Sequence, residues 1–277
     1  MKPISFREFD LAYRSSLDEI WPCWNVEMQT EIARHSAGWA PGKIDFYEYL
    51  SLSSMRFHKA WNALAASGAN SLCDVGGFWG VWPMTARKLG VETVAMTESL
   101  KYYGSSFDSL FDRIRESGVV IYDHDPFEVD AALDQQFDMV TVMAVLEHYP
   151  HSLRTFVNNV KKLISDGGKI YLEVPNIAYW PKRTALLAGR TPLASISDIY
   201  VSEEPFIGHH HEFTRDEVRD LARLGGLKIL SEEMYNYTLA AANTAKLWIR
   251  YPLMSAAFQL APATRECIAV LCEVEQA

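Results

Sequence analysis

The period of the apolar positions divides this chain into two regimes. After Asp45, residues Phe46, Tyr49, Leu50, Phe57, Ala60, Trp61 and Leu64 fall mostly on one face of a helix. Ser5 and Glu8, and again Asp45 and Glu48, have the spacing of a helix-starting capping box, and Gly68 supplies a stop. Residues 1–65 therefore read as a helical N-terminal cap. From Ser71 onward, short apolar runs take over. Ser71 to Val75, Val91 to Thr97, Val119 to Tyr122, Phe137 to Met143, Lys169 to Val174, Leu227 to Leu230 and Cys267 to Val274 read as strands. Helical patterns lie between them: one with Pro83 in its first turn and Gly90 past its end, one over Leu100 to Glu116, and a stripe from Leu153 to Ile164. Another starts at the Thr214–Glu217 capping box and ends at Gly225-Gly226. Such alternation predicts an α/β fold, a doubly wound and mostly parallel seven-stranded sheet covered on both faces.

Two stretches depart from this rhythm. Residues 176–212 have no clean period and are rich in aromatics and proline, so they read as a lid-like insertion within a domain spanning 66–277. Residues 239–262 are apolar and read as helical, but Lys246 and Arg250 interrupt them. No stable membrane insertion is expected, because no run reaches the roughly 18–20 apolar residues a span needs.

Composition narrows the function classes. Of 277 residues, 49% are hydrophobic and 22% charged, which suits a folded globule. The 26 basic and 35 acidic residues give a net charge of −9, so no nucleic-acid partner is expected. Lys2, Arg7, Glu8 and Asp10 leave no apolar core for a signal peptide, and Cys23, Cys73, Cys267 and Cys272 form no C-x-x-C pair. Reduced thiols in a cytoplasmic protein are the expectation.

The candidate chemistry sits at the strand ends, where open α/β sheets bind ligands. The first strand runs into Asp74-Val75-Gly76-Gly77-Phe78-Trp79-Gly80. This loop is neither G-x-G-x-x-G nor a P-loop, so a pyrophosphate cradle is disfavoured. Glu98 lies 18 residues after Gly80 at the end of the second strand, where a carboxylate can accept both ribose hydroxyls. Asp123 ends the third strand, where it or a neighbour can hold an adenine amino group. Three acidic strand ends without a diphosphate loop suit a cationic nucleoside.

The loop from Asp74 to Gly80 resembles the D-x-G-x-G-x-G motif of class I S-adenosylmethionine-dependent methyltransferases, with Phe78 in place of the middle glycine. Phe137-Asp138-Met139-Val140 with Val145-Leu146-Glu147-His148 resembles the fourth-strand motif. Asp166-Gly167-Gly168 and Val174-Pro175-Asn176 resemble the next turn and fifth strand, and residues 208–214 resemble the G-H-x-x-E-F-T of small-molecule and sugar methyltransferases. The resemblance covers about residues 66–235. It implies a Rossmann-like methyltransferase fold with S-adenosylmethionine as cofactor. It implies that Asp74 and the loop of Gly76, Gly77 and Gly80 meet the methionine part, with the pocket narrowed there by Phe78. It further implies that Glu98 binds the ribose, that Asp123 and His124 flank the adenine, and that Met143 lies on the sulfonium side. Asp138 is left out as a charge at a strand start.

A hydroxyl acceptor must lose its proton, and imidazole is the usual base near neutral pH. His148 is the first candidate, with Glu147 to orient it and His209 beside it; the other reading of His148 is a cap for the helix near Pro150. Of His209, His210 and His211, consecutive side chains diverge, so at most one or two can converge. Glu147, His148 and His209 resemble part of the E-x-x-E-H-plus-His metal set of ubiquinone and small-RNA end methyltransferases. Ala144 stands where that set has its first Glu, and no metal is expected. Arg56 reads as a cofactor or acceptor contact or as a solvated charge. The expected function is methylation of an oxygen, less readily a nitrogen, of a small-molecule or sugar acceptor. A non-catalytic S-adenosylmethionine-binding subunit and a nicotinamide-dependent dehydrogenase are the rivals, and the helical N-terminus offers a surface for a homodimer.

Overall fold

The computed structural model describes residues 1–129, 133–150, 152–238 and 248–275. Seven strands form one sheet: β1 (Ser71–Val75), β2 (Thr93–Glu98), β3 (Val120–Asp123), β4 (Phe137–Met143), β5 (Ile164–Pro175), β6 (Leu227–Tyr235) and β7 (Cys267–Val274). Their order is β3-β2-β1-β4-β5-β7-β6. The first five run parallel, and β7 runs antiparallel to both β5 and β6. Strand order reverses between β1 and β4, which places the ligand crevice at the ends of those two strands.

Side chains alternate across the sheet, and both directions are apolar. Leu72, Met96, Met139 and Tyr171 point into one buried cluster, while Cys73, Ala95, Val140 and Leu172 point into the other. This is why the central strands read as unbroken apolar runs. The second cluster is closed by α6 (Leu153–Lys162) and α9 (Arg215–Leu224). The first is closed by α1 (Phe6–Ile20), α2 (Val26–His35), α3 (Phe46–Ser67), α4 (Val81–Lys88) and α5 (Asp108–Glu116).

The N-terminal helices share that first core. Phe9, Tyr13, Leu17 and Ile20 form the buried stripe of α1, and Tyr13 donates its hydroxyl to the Leu50 carbonyl at 2.9 Å. Phe57 of α3 stacks on Trp82 of α4, ring centroids 5.8 Å apart. The expected caps form: Ser5 accepts from the Glu8 amide, Asp45 from that of Glu48, and Thr214 with Glu217 makes both bonds of the box.

Some expected elements differ. The helix read over Leu100 to Glu116 starts only at Asp108, after two short 3-10 turns around Gly104, because residues 100–107 wrap the end of β2. β6 runs five residues beyond the expected Leu230 to Tyr235, paired along β7. Residues 176–212 contain α7 (Trp180–Leu187) and α8 (Ile196–Val201). Of the helix read over 239–262, residues 239–247 lie outside the described residues, and α10 covers Pro252–Leu260. Among the described residues no helix is long and apolar enough to cross a membrane.

Gly80 shows why the first loop needs glycine. Its φ is +67°, and a Cβ there would sit 2.5 Å from the Ile114 side chain. Gly80→Ala is expected to destabilise the fold by about 2 kcal/mol or more. Adding Ile114→Ala should recover part of the loss in a urea-melt double-mutant cycle, and simple additivity of the two changes would contradict the contact.

Candidate active site

A cavity of about 770 Å³ opens at the carboxyl ends of β1, β2, β4 and β5, and residues of the N-terminal helices and of the 176–212 segment complete its wall. Its size is that of a small-molecule site, roughly 300–1,000 Å³. Gly76 has φ +68°, and a Cβ on it would meet Val145 at 2.9 Å; a Cβ on Gly77 would meet the Asp74 carboxylate at 2.8 Å. The backbone here can approach a ligand only because these positions carry no side chain.

Asp74 is buried at 4% exposure and accepts the Thr141 hydroxyl at 2.6 Å. Trp82 Nε1 donates to the same hydroxyl oxygen at 3.2 Å, which fixes its orientation. Burial pushes the Asp74 carboxyl up to about 7. Glu98 is also buried; Tyr103 donates to its Oε2 at 2.9 Å while its Oε1 has no partner. Loss of water pushes that carboxyl up to about 8. His124 is buried, its Nε2 is unpartnered, and desolvation lowers its pKa, which favours the neutral ring. Met143 forms the wall at the β4 end.

Two expected cofactor residues are placed elsewhere. Asp123 is exposed and outside the cavity wall; its carboxylate accepts the Leu100 amide at 3.0 Å and shapes the turn after β2. Asp125, two residues on, lines the cavity with His124. Gly80 packs on Ile114 instead of facing the cavity, so its part is to start α4. Phe78 lines the cavity, its ring stacked on that of Tyr103 with centroids 5.3 Å apart. Asp138 is structural, accepting the amides of Asn70 and Ser71.

Glu147, His148 and His209 meet at the other end of the cavity. Each offers a ligand atom, and these atoms all lie within 4.8 Å of one another. Glu147 is fully buried and both its carboxylate oxygens are unpartnered; burial pushes it up to about 7. His148 Nδ1 donates to the Ile207 carbonyl at 2.6 Å, so in the neutral ring Nε2 keeps its lone pair. Burial lowers this imidazole to about 4, and the neighbouring His209 adds to the effect. The ring therefore serves the cavity and not the helix near Pro150, whose cap is Ser152. His209 Nδ1 bonds Glu212 at 2.8 Å, which turns Nε2 toward Glu147 Oε1 at 4.0 Å. Glu212 is also paired with Lys182; these partners outweigh its burial and keep the carboxyl below its ordinary range. His210 turns to the Phe206 carbonyl and His211 to Glu217, so of the run only His209 enters the site. The three converging groups could take a proton or hold a divalent ion. Their two imidazoles are already oriented through Nδ1, as metal-binding histidines usually are.

Further residues complete the wall. Arg56 is buried, not solvated, and grips Glu173 through two bonds of 2.8 and 2.9 Å, with the Tyr235 hydroxyl also donating to Glu173. Ala144 has φ +55°, a left-handed backbone in a residue with a side chain, which costs about 1–3 kcal/mol. Its amide bonds the Glu173 carbonyl while the chain turns toward Glu147.

This fold with these strand-end carboxylates defines a class of group-transfer enzymes. A family described as Methyltransferase domain matches residues 49–232, more than half of the sequence, and the chain belongs to it. Its cofactor is S-adenosylmethionine, and the unpartnered Glu98 and His124 atoms beside the Gly76-Gly77 turn fit an adenosyl group. No functionally curated protein matches the sequence. Among solved structures, a Galdieria sulphuraria protein assigned as a sarcosine dimethylglycine methyltransferase aligns with TM-score 0.53 at 13% identity, over 82% of this chain and 88% of that one. An S-adenosylmethionine-dependent methyltransferase from Clostridium acetobutylicum aligns with TM-score 0.52 at 9% identity, over 84% and 93%. The chain complexed with the Trm112 methyltransferase activator of Haloferax volcanii gives TM-score 0.54 at 12% identity, over 84% and 95%. At these identities the likeness is one of fold.

The Glu147 carboxyl, raised to about 7, sets a pH signature. Between the ordinary carboxylate range and about pH 7 the native state binds this proton more tightly than the unfolded chain, so its contribution to stability falls as pH rises. Glu147→Gln removes the buried charge. It should be more stable than the wild type by roughly 3 kcal/mol above that window and indistinguishable from it near pH 4. Urea melts at both pH values measure this, and equal differences at both would contradict it.

Proposed function

We propose that the protein methylates a hydroxyl oxygen of a small molecule or sugar. What supports this most is the continuity of one cavity, in which adenosyl-binding groups stand at one end and proton-accepting groups at the other. S-adenosylmethionine supplies an electrophilic methyl group when bound. The protein has to hold donor and acceptor in line, keep water out and remove the hydroxyl proton. Glu98 accepts the ribose hydroxyls, His124 packs by the adenine, and Asp74 with the Gly76-Gly77 backbone meets the amino-acid part.

At the acceptor end, His148 Nε2 carries a lone pair, His209 Nε2 faces Glu147, and burial raises the Glu147 carboxyl to about 7. An amine acceptor in its neutral form needs no such base before transfer, which is why this cluster favours oxygen. Closure comes from hydrogen bonds that tie the 176–212 segment to the N-terminal helices: the Glu203 amide to the Arg34 carbonyl, the Ile207 amide to the His35 carbonyl at 2.9 Å, and the Ala37 amide to the Ser202 hydroxyl at 3.0 Å. Lys43 and Asp198 add an ion pair at 2.8 Å.

A second reading is favoured by the two unpartnered oxygens of Glu147. A divalent cation held by Glu147, His148 and His209 would lower the acceptor hydroxyl's pKa in place of a free base.

The deciding experiment combines calorimetry with S-adenosylhomocysteine and a transfer assay using labelled donor over panels of hydroxyl and amine acceptors. The homocysteine product should bind, and Glu98→Gln should weaken it about tenfold or more. Turnover should be confined to hydroxyls, and His209→Ala should lower kcat by about a hundredfold to ten-thousandfold with cofactor affinity kept. Turnover abolished by a chelator and restored by Mg²⁺ or Mn²⁺ selects the metal reading. Binding without turnover on any panel selects a non-catalytic subunit, and absence of binding refutes both.

A further inference from the structure

We propose that the outer surface formed by α7 and α10 docks on an anionic lipid bilayer. The two helices pack against each other, and Tyr179, just before α7, stacks on Phe258 of α10 with ring centroids 5.8 Å apart. In α10, Ser255 and Phe258 face inward, while Leu253 and Leu260 face out. Leu187, Ile249, Leu253 and Leu260 are each at least 80% exposed. Single exposed leucines are ordinary on a soluble protein; a concentration on two adjoining helices and the residues just before the second is not.

Charge identifies the occupant. Residues 176–197 contain Lys182, Arg183 and Arg190, residues 248–265 contain Arg250 and Arg265, and neither stretch holds an Asp or Glu. On a chain of net charge −9, this sign is local. Lys182 is spent inside on Glu212, and Arg265 bonds the carbonyls of Phe258 and Met234. Arg183, Arg190 and Arg250 are exposed and make no ion pair among the described residues. Trp248 and Tyr251 are part exposed, and the Arg250 guanidinium lies 5.5 Å from the Tyr251 ring centroid.

Leucines that enter the acyl boundary, indole and phenol rings at headgroup depth, and guanidinium groups against lipid phosphates are the parts of an interfacial anchor. With no spanning helix among the described residues, the contact is with the surface. The rest of the acidic protein would be repelled, so this face would be the one turned toward the membrane. Tyr179 and Lys182 line the cavity as well, so docking would bring the acceptor end of the cavity close to the bilayer.

The test is flotation of the full chain with vesicles of phosphatidylcholine alone and of phosphatidylcholine with an equal share of phosphatidylglycerol. The wild type should float with the anionic vesicles, lose this with rising salt, and stay behind with neutral ones. Arg183→Ala, Arg190→Ala and Arg250→Ala combined should weaken partitioning by about a hundredfold. Leu253→Glu with Leu260→Glu should abolish it. Circular dichroism and S-adenosylhomocysteine binding, unchanged in both variants, show that the fold survives. Failure of the wild type to float with anionic vesicles overturns the proposal, as does equal flotation with neutral vesicles. So does a wild-type dimer by light scattering that Leu253→Glu makes monomeric, without lipid binding, since the face would then belong to a second copy of the chain.

Discussion

Asp74, Glu98 and Glu147 are each more than nine-tenths buried, and loss of water raises the proton affinity of all three to neutrality or above. Isolated carboxylates in such surroundings are a burden on the fold unless a partner arrives. Asp74 has one in Thr141, Glu98 has half of one in Tyr103, and Glu147 has no hydrogen-bond partner, only His209 at 4.0 Å. The gradient follows the cavity from its most structural end to its most reactive end. Much of the surrounding architecture serves to keep these groups dry and fixed: the glycines that admit the backbone, the indole of Trp82 that orients Thr141, and the Nδ1 bonds that aim two imidazoles.

The acceptor end is built from distant parts of the chain. Arg56 from α3 neutralises Glu173 from β5, Tyr235 from β6 adds a third bond, and Glu212 before α9 positions His209. An arginine–carboxylate pair this deep gains only from good geometry, and here both oxygens of Glu173 are engaged. The pair fills the floor of the cavity with a neutral unit instead of two separate charges. That leaves Glu147 as the carboxylate with spare oxygens at the acceptor end.

The fold was legible because its signals are local. Strand alternation placed Leu72 and Cys73 on opposite faces of one buried sheet, and the capping residues Ser5, Asp45 and Thr214 start helices where their spacing says. Asp74, Glu98, His124, Met143, Glu147, His148 and His209 could be picked out because each stands at or beside a strand end or in a motif, and all line the cavity. Asp123 misled for the same reason: a strand's last residue can point to either side of the sheet edge, and here Asp125 faces inward. Arg56 was read without its partner Glu173, as a contact or a solvated charge, and Tyr103, Thr141 and Lys182 were illegible as site residues. Their roles come from pairing across 117, 5, 67 and 30 positions, which no periodicity encodes.

The bonds between residues 34–37 and 202–207 carry a kinetic implication. Two are main-chain links and one joins an amide to the Ser202 hydroxyl, all made by segments with little apolar burial of their own, so they belong to the part of the molecule that opens at the lowest free energy. Where entry and exit run between these two segments, they wait for that seam to part. The ceiling on throughput would then be set by how often a few peptide groups let go of one another, independent of how fast a bond is made inside.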